Sequence, residues 1–156
     1  MEVKELGHVV LYVRNARRSA DFYRDVLGWR QIMPKPDDEQ DGQWRAAAFN
    51  SPSLRTHHEL LLIEVGEDAA ELPAGRRLGM YHFGLKIGDS DDELRAARDT
   101  LRAAGATILG QSDHTATHSL YIADPDGNEI ELYVDVPGVD WSDPSVMSTP
   151  TKPLEL

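Results

Sequence analysis

His8, Glu64, His82 and Glu131 recur at corresponding places of a repeated pattern, and their side chains have the donor chemistry of a divalent metal site. Two neutral imidazoles and one carboxylate on a common face hold such an ion and leave positions open. That facial arrangement is associated with non-haem Fe(II). A second carboxylate, from Glu64, completes four protein ligands and suits Ni(II), Zn(II) or Co(II) instead. A single strand histidine is more often structural than a ligand, so the symmetric recurrence carries the argument rather than any one residue. His57 and His58 lack a counterpart in the second half and read as a surface pair. No thiolate competes, because the chain has no cysteine.

Residues 112–133, SDHTATHSLYIADPDGNEIELY, add further chemistry. Asp124-Pro125-Asp126-Gly127 is a turn: Pro125 presets φ, Gly127 allows φ > 0, and the aspartates bond nearby amides. Before it, Tyr121 alternates with Leu120 and Ile122. Beyond it, Glu131 alternates with Ile130 and Leu132. The hairpin therefore has one apolar face and one face carrying Tyr121 and Glu131. His118 falls on the apolar side and is set aside.

The elements that must position these residues repeat. Residues 6–13 read as a strand, followed by a helix capped by Asn15 and ended by Gly28. Strands at 29–33, 44–49 and 57–65 complete the first set, with an acidic, mobile loop over 34–42. The second set has a strand at 79–87 and a helix opened by the capping box Ser90-Asp91-Asp92-Glu93 and closed by Gly105. A strand at 107–109 and the hairpin follow. Superposing His82 on His8 aligns the first strands, and Ile63-Glu64-Val65 is laid on Ile130-Glu131-Leu132. In that alignment Leu61, Ile63 and Val65 face the helix and Glu64 faces away. The fold expected is α+β, two βαβββ modules paired about a pseudo-twofold axis with a curved sheet cleft between them. The modules span 1–66 and 79–135, joined by a polar linker at 67–78. The tail, 136–156, holds four of the nine prolines and reads as an extended strap or a disordered end.

Composition narrows the partners. A net charge of −11 argues against nucleic acid and against an anionic membrane surface. No leader pattern and no membrane-length apolar run is present, so a cytoplasmic setting is expected.

With GHVVLYV, RSADFYRDVLGW, MYHFGLKI and DPDGNEIELY, residues 5–135 resemble the vicinal oxygen chelate superfamily: glyoxalase I, fosfomycin and bleomycin resistance proteins, and type I extradiol dioxygenases. Residues 113–131 look most like the extradiol dioxygenase signature, with His114, Leu120, Tyr121, Asp124, Pro125, Gly127 and Glu131 in its places; Ser112 departs from its usual first residue. The resemblance implies His8, His82 and Glu131 as metal ligands, with Fe(II) foremost and Ni(II), Zn(II) or Mn(II) as alternatives. It also implies His114 as the acid/base and Tyr121 as hydrogen-bond donor to a metal-bound oxygen. The implied substrates are a catechol-like aromatic diol and O2, and the implied assembly is a homodimer. A glyoxalase I-like lyase or isomerase, with Glu64 as fourth ligand, is the second expectation. Arg14, Arg17, Arg18, Arg76 and Arg77 form no basic cluster assignable to glutathione and read as solvated surface. A non-catalytic protein that sequesters flat aromatic ligands is the third.

Overall fold

The computed structural model describes residues 1–35 and 44–156. The chain divides into two compact units, Met1–Glu71 and Leu72–Leu156. Both have the same βαβββ topology, in the α+β class.

In the first unit, β1 (Val9–Val13), α1 (Ala16–Asp21), β2 (Arg30–Met33), β3 (Ala46–Asn50) and β4 (Leu60–Glu64) build a sheet of order β1-β4-β3-β2. β1 and β4 are parallel and the other pairings antiparallel. The expected cap is present: Asn15 Oδ1 accepts from the Arg18 amide at 2.9 Å. From Phe22 to Val26 the helix widens to a π turn, and Gly28 leaves it at φ +73°. Ala16, Ala20 and Tyr23 form its fully buried stripe. Tyr23 meets Phe49 of β3 at 6.2 Å between ring centroids. The acidic loop expected over 34–42 lies, from Pro36 on, outside the described residues.

Register corrects the alignment of the first unit's last strand. Val9, Leu11 and Val13 stand opposite Leu60, Leu62 and Glu64. Leu11, Val13, Leu60 and Leu62 are buried on the helix side. Burying a leucine there contributes about 1.5–3 kcal/mol. Leu61, Ile63 and Val65 were expected on this face. An odd-numbered slip exchanges the faces of a strand, and burial of Leu60 and Leu62 decides which face is inside.

The second unit holds β5 (His82–Gly88), α2 (Asp91–Ala103), β6 (Thr107–Asp113), β7 (Thr117–Ala123) and β8 (Glu129–Asp135), in the order β5-β8-β7-β6. The capping box forms as expected. The Ser90 hydroxyl accepts from the Glu93 amide, and Glu93 Oε2 accepts from the Asp89 amide at 2.9 Å. Leu94 and Leu101 of α2 are buried, as are Leu120, Ile122, Ile130, Leu132 and Val134 of the sheet. β6 runs past its expected end at Leu109, because residues 110–113 continue to pair with β7, and a tail residue bridges to its last residue. Lys152 exchanges two backbone hydrogen bonds with Asp113, at 2.8 and 3.0 Å. The tail is a strap on this unit. Among the described residues no helix is long and apolar enough to cross a membrane.

Candidate metal and acid–base site

The DPDG turn sets the site of the second unit. Asp124 accepts from the Asp126 and Asn128 amides at 2.9 and 2.8 Å, and Gly127 adopts φ +85°. This fixes the register of β7 on β8 and puts Tyr121 directly opposite Glu131. On β5, Gly84 is the cross-strand partner of Glu131, and His82 that of Glu129. Having no side chain, Gly84 leaves the space beside Glu131 open: a Cβ there would stand 3.5 Å from Glu131 Oε2.

Four of the expected site residues meet in this unit. His114 Nε2 lies 2.7 Å from the Tyr121 hydroxyl, and that hydroxyl donates to Glu131 Oε1 at 2.9 Å. The other Glu131 oxygen, Oε2, is 3.2 Å from His82 Nε2. Burial, and then the bond to Glu131, push the Tyr121 phenol well above its ordinary range. Tyr121 therefore stays a protonated donor at any physiological pH. Its hydroxyl has one proton, and an ionised Glu131 can only accept, so His114 Nε2 must carry the hydrogen shared with the Tyr121 oxygen.

Behind His82 stands a residue that pattern reading left out. His82 Nδ1 is buried without a hydrogen-bond partner and lies 3.6 Å from Glu129 Oε1. Glu129 in turn binds the Tyr81 phenol, which raises Tyr81 above its usual value. The signal was present in the spacing, since Glu129 and Glu131 alternate onto one face.

His82 and Glu131 have the donor chemistry of ligands to a divalent ion. Two ligands about 2.1 Å from one metal, at roughly 90–110°, lie about 3.0–3.4 Å apart. His82 Nε2 and Glu131 Oε2 meet that spacing. Among the described residues, no three His, Asp or Glu side chains are gathered to hold a metal.

His8 belongs to the first unit, where its ring lies 4.6 Å from that of His58 and 5.7 Å from that of His57. His58 is not a plain surface residue: its Nε2 is buried without a partner. Burial, and then His57 and His8, lower its pKa. Glu64, the possible fourth ligand, was expected on the opposite face of β4, and the register corrects that placement. Its position opposite Val13 puts it on the helix side of the sheet. There Oε2 accepts from the Ala16 amide at 3.0 Å, at the start of α1, and Oε1 lies 3.6 Å from Arg45. The residue of β4 that corresponds to Glu131 is Leu61, opposite Val10 as Glu131 is opposite Gly84.

His118 also lies where expected, away from Tyr121: Nδ1 is 2.6 Å from Asp91 of α2. A concavity of about 450 Å³ at that end of α2 is lined by Asp91, Asp92, His118 and Asp135, and none of the four site residues borders it. Arg14, expected as solvated surface, instead donates to the Ala69 carbonyl at 2.8 Å and pairs with Glu71.

The sequence profile described as "Glyoxalase/Bleomycin resistance protein/Dioxygenase superfamily" matches residues 5–132. A catechol-2,3-dioxygenase of Bacillus subtilis is 35% identical over 140 residues, 90% of this chain but only 45% of that protein. The chain thus spans about half the length of that relative. A lactoylglutathione lyase of Neisseria meningitidis is 29% identical, over 81% of this chain and 88% of its own. Among solved structures, a glyoxylase/bleomycin resistance protein/dioxygenase domain from Frankia sp. EAN1pec shares the fold. Its TM-score is 0.66 at 20% identity, covering 86% of this chain and 99% of that one.

Proposed function

Because the chain belongs to the Glyoxalase/Bleomycin resistance protein/Dioxygenase superfamily, we propose that it is an Fe(II)-dependent extradiol dioxygenase cleaving a catechol-like diol with O2. The observation that carries this reading is the linked set His114, Tyr121, Glu131 and His82. It joins an imidazole to a metal-type carboxylate through a phenol whose pKa is raised by burial and by its bond to Glu131. The similarity to the Bacillus subtilis catechol-2,3-dioxygenase supports it.

His82 Nε2 and Glu131 Oε2 are the two proposed ligands of this unit. Fe(II), when bound there, would supply Lewis acidity toward a chelating diol and the electrons that O2 needs. The protein's own part is proton management. His114 accepts a proton from the diol as it binds and returns one as the ring opens. Tyr121 remains a neutral donor and keeps His114 at a fixed distance from Glu131. Cleavage beside the diol gives a muconic semialdehyde type of product.

A second reading, a glyoxalase-like isomerase using Ni(II) or Zn(II), is supported by the similarity to the meningococcal lactoylglutathione lyase, 29% identical over 129 residues. The hydrogen bond that Glu64 accepts from the Ala16 amide, on the helix side of the sheet, weighs against it. Anaerobic reconstitution with Fe(II), followed by catechols and then oxygen, tests the choice. Oxygen uptake with a yellow ring-opened product is expected. Bound Fe(II) with a broad catechol panel inert would sink the dioxygenase reading and send the protein to hemithioacetals with Ni(II). Failure to bind any divalent metal would favour a ligand-sequestering protein.

A further inference from the structure

The last residues of the chain reach His114. Thr149 Oγ1 donates to the His114 carbonyl at 3.0 Å, and Thr151 Oγ1 lies 3.2 Å from His114 Nδ1. Between the same two stretches, Lys152 pairs its backbone with Asp113. The segment is anchored beyond that point as well. The Gln111 side chain donates to the Leu154 carbonyl, Leu154 is buried, and the Arg98 guanidinium of α2 donates to the Leu156 carbonyl. Thr151 is thus held beside the ring by a short backbone ladder rather than left on a free end.

We propose that Thr151 is a positioning residue that fixes the tautomer and ring angle of His114. The proposal rests on the acid–base role given to His114 above. Hydrogen counting gives the argument. The Tyr121 proton goes to Glu131, so Nε2 of the neutral His114 ring carries its hydrogen and Nδ1 presents a lone pair. The Thr151 hydroxyl then donates to Nδ1. Thr151, His114, Tyr121 and Glu131 form one chain with every donor pointing the same way. A hydroxyl can make this bond to Nδ1 and a methyl cannot. The C-terminal segment therefore belongs to the working site.

Thr151→Val and Thr151→Ser test this, first by long-range proton–nitrogen NMR of the histidine rings in metal-free protein. The wild type and Thr151→Ser are expected to show the Nε2–H tautomer at His114. Thr151→Val is expected to show a mixture with the Nδ1–H form. In the Fe(II)-loaded protein Thr151→Val should lower kcat roughly tenfold or more, as loss of a supporting hydrogen bond does elsewhere. KM should be little changed, and Thr151→Ser should restore turnover. An unchanged His114 tautomer in Thr151→Val would overturn the proposal. Absence of diol turnover in the wild type would strike the dioxygenase reading instead, and the tautomer measurement would still decide the role of Thr151.

Discussion

The Tyr121 hydroxyl donates to Glu131 Oε1 across 2.9 Å, from positions directly opposite each other on β7 and β8. Backbone register, and not a flexible side-chain encounter, therefore sets this contact. Replacing Tyr121 by Phe removes the donor and leaves Glu131 and His114 without their intermediary. A hydrogen bond to a charged group contributes about 1.5–3 kcal/mol, so kcat should fall roughly 10- to 100-fold. Metal content should be retained. Oxygen-uptake kinetics with metal analysis on the same sample checks both statements.

Glu129 stands behind His82, 3.6 Å from the buried Nδ1. A carboxylate that accepts from the far nitrogen of a ligating imidazole orients it, at a typical worth of about 10- to 100-fold in metal affinity. Among the described residues Glu129 is the carboxylate nearest to that nitrogen. Glu129→Gln should show that weakening in a Co(II) titration. Glu131→Gln should weaken binding further, because it also removes a charge from the first coordination sphere. Equal affinities for wild type and Glu129→Gln would remove Glu129 from the site.

Glu64 accepts from the first amide of α1, on the helix side of the sheet. Glu64→Gln should leave Co(II) affinity unchanged. It should cost about 1 kcal/mol of stability, the usual worth of an N-terminal helix contact. A titration paired with thermal unfolding separates the two effects. A large loss of metal affinity would restore the four-ligand reading.

Glu59 gives the first unit an acid-sensitive anchor. Burial alone would raise its pKa, but the Ser51 amide at 2.7 Å and Arg55 outweigh that and hold it below the usual value. With the folded pKa depressed, the unfolded chain binds more protons as acidity rises. The stabilisation is present above the ordinary carboxylate range, about pH 4.5, and is lost as pH falls through the folded value. Glu59→Gln should flatten this part of the stability–pH curve. Urea unfolding between pH 3 and 7, about the range over which carboxylates titrate, reads it.

Much of the second unit was legible in its residues. The DPDG turn, the alternation of Tyr121 and Glu131 and the Ser90–Glu93 box are local signals, and each appears where expected. The first unit was less legible at β4. HHELLLIEV has apolar residues on both parities, so alternation alone cannot say which face is buried. Pairing with β1 decides it, by placing Leu60 and Leu62 inside. Glu64 thereby falls on the helix side, where it accepts from the Ala16 amide.

The sequence by itself determined the repeat, the α+β class and the chemical character of His82, His114, Tyr121 and Glu131, because turn chemistry and period-two alternation act over a few residues. Tertiary structure decided three other matters. It set the register of β4, drew Glu129 behind His82, and laid Thr151 against His114 from 37 residues away. Each depends on which strand pairs with which and in what phase. A two-residue period carries no information about the phase of a partner distant in the chain, so only folding fixes it.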